Sequence, residues 1–349
     1  MVRLLIVLIF AITLHVNQLL AQDLLLYKNA SIEKTRQWKA KRLAILDSMQ
    51  AVMGKLPLKD KRTPKAQMLD SLIEKSFTRY LVKLTVAKDE DIFVYLYLPH
   101  DKKRKKYPAI LALHETDILG KKSVDGQGKN KNLAYGRELA ERGYVVIAPD
   151  YPSFGDLEDY SFNQDRYQSG TMKAIFNHIR CIDYLISKNE VDPKRIGVIG
   201  HSLGGHNALF VSAFDTRLKV TVTSCGWTLF DFYNVGSSAS KKYGGRLGPW
   251  AQERYMPLLK TKYDLELVPF DFNEVIAAIA PRAVFSSSPI NDTNFDYKGV
   301  QKGIADAALV YDFLGVKNKL QVRYPTSNHD FPKAVRLEAY HFMDQVLKK

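Results

Sequence analysis

The chain has 349 residues, 46% of them hydrophobic and 25% charged. That is enough apolar material for a large buried core, and it excludes a disordered or fibrous polypeptide. The formal net charge of +14 raises the question of a polyanionic partner, but the basic residues are spread along the chain. The densest run, Lys102-Lys-Arg-Lys-Lys106, has no interleaved aromatic residues for base stacking and falls between two predicted strands, so it reads as a solvated loop with no nucleic-acid partner.

Met1-Val2-Arg3, an apolar run from Leu4 to Leu14 and a more polar stretch ending Leu19-Leu20-Ala21-Gln22 predict a signal peptide over residues 1–21, cleaved after Ala21. The apolar run is short for a membrane span, and no cysteine follows the cleavage site to carry a lipid. The expectation is an exported protein, periplasmic or secreted, with no stable membrane anchor. The oligomeric state is left open.

Residues 22–76 read as an N-terminal helical extension. Ser31 is placed to cap a helix ending near Gly54, with Trp38, Ile45, Met49, Val52 and Met53 at helical spacing. The main domain is expected over 77–349. It opens with an antiparallel hairpin, Phe77 to Ala87 and Ile92 to Leu98, followed by a nearly continuous apolar strand from Tyr107 to His114. Strands and helices then alternate: a helix from about Asn132 to Arg142, a strand from Tyr144 to Pro149, and a long helix carrying Met172, Ile175, Ile179, Ile182 and Ile186. Later strands are expected at Leu218 to Ser224, Pro281 to Ser286 and Leu320 to Tyr324, with helices near Ala305 to Leu314 and Pro332 to Leu347. This is an α/β chain forming a mostly parallel, doubly wound sheet of about eight strands. The interval 226–273 breaks the alternation as an insertion carrying Trp227, Phe230, Phe232, Tyr233, Tyr243, Trp250, Tyr255 and Tyr263. Long excursions of this kind cover or line sites, although about half of these rings are expected simply to pack the insertion onto the core.

The centre of the chain is Arg195-Ile-Gly-Val-Ile-Gly-His-Ser-Leu-Gly-Gly205. A buried strand turns through Gly200-His201-Ser202-Leu203-Gly204 into a helix, which is the G-x-S-x-G nucleophile elbow in the strand-turn-helix context it requires. Side chains at Gly200 and Gly204 would collide with neighbouring backbone. A serine hydroxyl needs a general base, and the base needs a third group to orient it.

Of the eight histidines, His15 lies in the signal segment, and His100, His114 and His178 precede the elbow. His201 and His206 are held in the elbow and its helix, and His341 is inside the closing helix. His329, in Ser327-Asn-His-Asp-Phe-Pro332, follows a late strand and is the expected base. Asp292 follows the preceding strand and is the expected acid, with Asp296 and Asp231 as alternatives. The oxyanion hole is expected from the N–H of Leu203 and one from Thr116, or else Glu115, while Asp150 reads as a loop tie. Cys181 and Cys225 fall in apolar element patterns and are expected as buried free thiols. No CxxC, HExxH or His/Cys cluster occurs, so neither a cofactor nor a metal is expected.

With Leu111-Ala-Leu-His-Glu-Thr116, Ala148-Pro-Asp-Tyr-Pro-Ser-Phe-Gly155 and His329-Asp-Phe-Pro332, these features resemble the α/β-hydrolase superfamily. Within it the likeness is to exported bacterial dienelactone-hydrolase-like and acetyl-esterase-like proteins. Dienelactone hydrolases use a cysteine nucleophile where this chain has Ser202, so the resemblance implies an ordinary ester hydrolase. It implies cleavage of carboxylic esters through an acyl-enzyme. Export, the aromatic insertion and the basic surface make acetylated or uronate-containing carbohydrates the substrate expectation, since aromatic faces stack on sugars and cations attract uronates. A serine peptidase of prolyl-oligopeptidase type and a non-catalytic binding protein on the same fold are the alternatives.

Overall fold

The structure is a computed structural model describing residues 24–349 apart from positions 29, 59–61, 102–104, 165, 264 and 266. The expected signal peptide and the first three residues of the basic run lie outside the described residues.

A short ladder of β1 (Leu26–Tyr27) and β2 (Ala30–Ser31) leads into helix α1 (Thr35–Met53). Ser31, the expected cap, is used in that ladder. The helix instead starts after Lys34, where Gln37 reaches back and its Oε1 accepts the N–H groups of Glu33 (3.1 Å) and Lys34 (2.8 Å). The apolar stripe is buried as its spacing requires, through Trp38, Ile45, Met49, Val52 and Met53. Arg42 fastens the helix to the body by donating to the carbonyls of Ala278 (2.7 Å) and Ala213 (2.5 Å), in the last turns of two core helices.

Nine strands form one sheet: β3 (Lys65–Ile73), β4 (Phe77–Ala87), β5 (Glu90–Pro99), β6 (Tyr107–Leu113), β7 (Val145–Pro149), β8 (Val191–His201), β9 (Leu218–Ser224), β10 (Ala283–Ser287) and β11 (Leu320–Arg323). Their spatial order is 11-10-9-8-6-7-5-4-3. The run β3-β4-β5-β7 is antiparallel, and every pairing from β7 to β11 through β6 and β8 is parallel. The strand beyond the expected eight is β3. Its residues are exposed on both faces, so it needs no alternation of apolar and polar residues and leaves no period-two signal. The sheet therefore begins at Lys65, inside the 22–76 stretch expected to be helical.

The helices of the body are α2 (Lys121–Val124), α3 (Tyr135–Glu141), α4 (Gly170–Ser187), α5 (Leu203–Phe214), α6 (Gly236–Tyr243), α7 (Leu258–Thr261), α8 (Phe272–Ile279), α9 (Tyr297–Phe313) and α10 (Lys333–Leu347). Helix α9 starts well before the expected Ala305, because the Asp296 carboxylate caps it by accepting the N–H of Lys298 at 2.8 Å.

Alternate strand residues feed two cores. Ala109, Leu111, Leu113, Ile147, Ile196 and Val198 pack with α1, α4, α5 and α8. Ile110, Ala112, Val146, Ala148, Ile199 and Val222 pack on the other face with Tyr135, Leu139, Ala339 and Met343 of α3 and α10. A sheet covered on both faces needs continuous apolar strands in its centre, and every residue of β6 and β7 is buried. Strand β8 lies among them, so the loop at its C-terminal end opens where neighbouring loops converge.

Candidate active site

Strand β8 ends at His201 and α5 begins at Leu203, leaving Ser202 at the turn with φ +51° and ψ −116°. A non-glycine residue held there costs about 1–3 kcal/mol, and the surrounding backbone supplies the constraint. Its N–H donates to Ser224 O at 2.8 Å, and its carbonyl accepts from Gly205 (2.9 Å) and His206 (3.1 Å). A Cβ on Gly200 would stand 2.1 Å from Gly204 O, and one on Gly204 would stand 2.0 Å from Leu113 O. Both contacts are with backbone, so neither position admits a side chain without moving the elbow.

The loop after β11 brings His329 to this turn. Its ring meets that of His201, the residue before Ser202, edge-on at 4.9 Å, and stacks on Phe295 at 6.1 Å. His329 Nδ1 lies 2.9 Å and 3.0 Å from the two carboxylate oxygens of Asp292. Burial pushes the Asp292 carboxyl up, but the His329 hydrogen bond and charge, with the N–H groups of Asn294 and Phe295, outweigh it and leave it below the usual carboxylate range. The alternatives are engaged elsewhere: Asp296 caps α9, and Asp231 is exposed in a 3-10 turn at Phe230–Phe232. The His329 loop is also pinned through Asp330, which accepts from Asn130 (2.9 Å) and Asn132 (2.7 Å). His201 is fully buried and held neutral, its pKa lowered to about 3 chiefly by burial.

Cys181 and Cys225 are free and buried. Cys225 shares a cluster with Asp292 and His329, but the donor chemistry does not favour a metal there. Burial, and then the neighbouring Asp292, push the thiol well above its usual range, and Sγ already donates to Asp330 O at 3.3 Å.

Ser202 and Leu203 open into a cleft of about 250 Å³. Thr116 reaches it from the loop after β6. Glu115 does not line it: its half-buried carboxylate accepts from Ser123 Oγ at 2.8 Å. Asp150 is a loop tie, accepting from the backbone N–H of Lys121 (2.7 Å) and from its buried ammonium (2.5 Å).

The insertion supplies most of the cleft wall through Tyr233, Tyr243, Trp250, Gln252 and Tyr255. The other rings behave as packing. Trp227 lies against Phe272 and donates from Nε1 to Ser286 Oγ (3.1 Å), while Phe230 packs on Phe270 and Phe272. Among the described lining residues none is Lys, Arg, Asp or Glu, and His206, on the cleft side of α5, is kept neutral by burial with a pKa of about 3.

A family model described as "Glucuronyl esterase, fungi" matches residues 158–315. The chain is 28% identical over 250 residues to the putative hydrolase YtaP of Bacillus subtilis, covering 69% of this chain and 79% of that protein. It is 26% identical to carbohydrate esterase MZ0003 of an unknown prokaryotic organism, over 72% of this chain and 67% of that one. The solved glucuronoyl esterase from Solibacter usitatus superposes with a TM-score of 0.74 over 93% of this chain and 96% of its own, at 18% identity. The chain has the fold of these esterases, the α/β-hydrolase fold.

The family model, carbohydrate esterase MZ0003 and the solved neighbour are all esterases, and the fold is the one they share. The family match is informative in its position: apart from Thr116, every residue lining the cleft falls within 158–315. Sequence reasoning set His206 aside as part of the elbow helix, yet four residues after Ser202 on a helix is the same face, which is the signal that places it on the cleft. Asn294 and Phe295, also on the wall, left no comparable signal.

Proposed function

We propose that this hydrolase cleaves carbohydrate esters, with a uronoyl ester as its preferred bond, using Ser202 as nucleophile, His329 as base and Asp292 as the acid that orients it. With Nδ1 held by Asp292, the base works through Nε2. It takes the Ser202 proton as Oγ attacks the ester carbonyl, and the N–H groups of Leu203 and Thr116 receive the oxyanion. His329 then protonates the departing alcohol, and water, activated by the same ring, releases the acid.

The observation that carries the substrate reading is the cleft itself. Tyr233, Tyr243, Trp250 and Tyr255 offer ring faces suited to sugars. A wall without charged groups suits an esterified uronate, which is neutral until cleaved and becomes an anion that the wall does not retain. The cations expected to attract uronates are thus absent from the described lining, and the basic charge of the chain lies elsewhere. Kinetics on a methyl or benzyl glucuronate ester, an acetylated xylo-oligosaccharide and an aryl acetate test this. The uronate ester is expected to show the highest kcat/KM, and a higher value for the acetylated sugar would contradict it.

No helix of the described residues is long and apolar enough to cross a membrane. Export with cleavage after Ala21 belongs to the same proposal, and the N-terminal sequence of the mature protein tests it.

A further inference from the structure

His114 is a buried histidine just after β6 that the reaction does not use directly. Its two ring nitrogens have different partners: Nε2 receives the N–H of Tyr151 at 2.9 Å, and Nδ1 lies 2.6 Å from Glu115 O. A backbone N–H can only donate and a carbonyl can only accept, so these contacts together require a neutral ring with its proton on Nδ1. The carbonyl of Glu115 and the N–H of Thr116 belong to one planar trans peptide and point in opposite directions. Holding the carbonyl against the ring therefore turns the Thr116 N–H to the opposite side, and Thr116 lines the cleft with Ser202 and Leu203.

We propose that His114 is a positioning residue for the oxyanion hole. By donating from Nδ1 to Glu115 O it fixes the orientation of the Glu115–Thr116 peptide, and by accepting the Tyr151 N–H it fixes its own tautomer. Loss of the ring contact leaves the Glu115 carbonyl held by the Asp117 N–H alone, at 2.9 Å, a single bond about which the peptide can swing its own N–H out of the hole. The inference rests on the reading of Thr116 as an oxyanion donor. The loops after β6 and β7 keep a second tie without His114, because Asp150 still binds Lys121 and accepts the Asp156 N–H at 3.0 Å. A His114 variant is accordingly expected to fold.

The test compares wild type, His114→Phe and His114→Gln on the best ester of the panel. Each protein is also titrated with a boronic acid, which forms a tetrahedral adduct on the serine, and with the carboxamide of the product acid, a neutral product analogue, as a ground-state ligand. For His114→Phe the inference requires kcat to fall about 100-fold, the size of a lost oxyanion donor. KM and carboxamide affinity should stay within about twofold, and boronate affinity should fall in parallel with kcat. His114→Gln, which can donate to Glu115 O and accept from Tyr151 N–H, should recover at least tenfold of that loss. A folded His114→Phe protein with wild-type kcat overturns the inference, as does a loss shared equally by carboxamide binding, or a Gln variant no better than Phe. Covalent labelling of Ser202 by a fluorophosphonate separates the two levels. Labelling together with an unaffected His114→Phe overturns the positioning role alone, whereas no labelling of wild type overturns the reading on which it rests.

Discussion

The elbow and the insertion meet at the same cleft but are built on opposite terms. At the elbow, backbone constrains backbone: Gly204 sits where a Cβ would be 2.0 Å from Leu113 O, and Ser202 is locked at positive φ by bonds to Ser224, Gly205 and His206. The insertion is made of short helical pieces and 3-10 turns held by rings, with Trp250 at the hub against His206, Phe230, Tyr233, Phe272 and Phe295. The Ser202 hydroxyl is thus fixed by steric necessity, whereas the cleft wall is fixed by side-chain packing, which tolerates exchange of one ring for another. Under the proposed function, chemistry and specificity are therefore separable in this molecule.

Breaking the catalytic side should have the largest effect. Asp292→Asn keeps the shape of the loop but removes the charge that orients His329, and kcat should fall by about 10³–10⁴-fold with little change in KM. Steady-state kinetics beside an unchanged circular dichroism spectrum checks it. Substitution in the insertion should leave the chemistry standing: Trp250→Ala is expected to raise KM by about tenfold while fluorophosphonate labelling of Ser202 proceeds at a rate within a few-fold of wild type. Loss of labelling in that variant would erase the distinction between the two regions.

A smaller effect concerns stability. His178, His201 and His206 are buried and neutral, each with a pKa lowered by burial to about 3, against about 6.5 in the unfolded chain. The unfolded state therefore binds more protons below about pH 6.5, so stability is full above that pH and declines as pH falls toward 3. The initial slope is at most about 1.4 kcal/mol per pH unit for each histidine. Tm should drop steadily from pH 7 to pH 5, and His178→Phe, which removes one of the three groups, should flatten the curve.

What could be read before the structure follows the same division. The elbow was legible because its glycines answer to steric rules that act within a few residues, and the parallel strands were legible because burial on both faces demands continuous apolar runs. Asp292 could not be separated from Asp296 or Asp231, since an aspartate in a loop is equally suited to capping a helix, and only the fold shows that Asp296 does so. Strand β3 stayed hidden because both of its faces are exposed. The role of His114 depends on Tyr151, 37 positions away, and a contact of that kind leaves no mark in local pattern.

The most direct measurement of the central claim is covalent labelling of the mature protein with a fluorophosphonate probe, beside folded Ser202→Ala and His329→Ala variants. An activated serine held by this triad requires stoichiometric labelling of Ser202 in wild type, none in Ser202→Ala, and a rate reduced by at least about 10³-fold in His329→Ala. A folded wild-type protein that fails to label, or a His329→Ala variant that labels as fast as wild type, would contradict it.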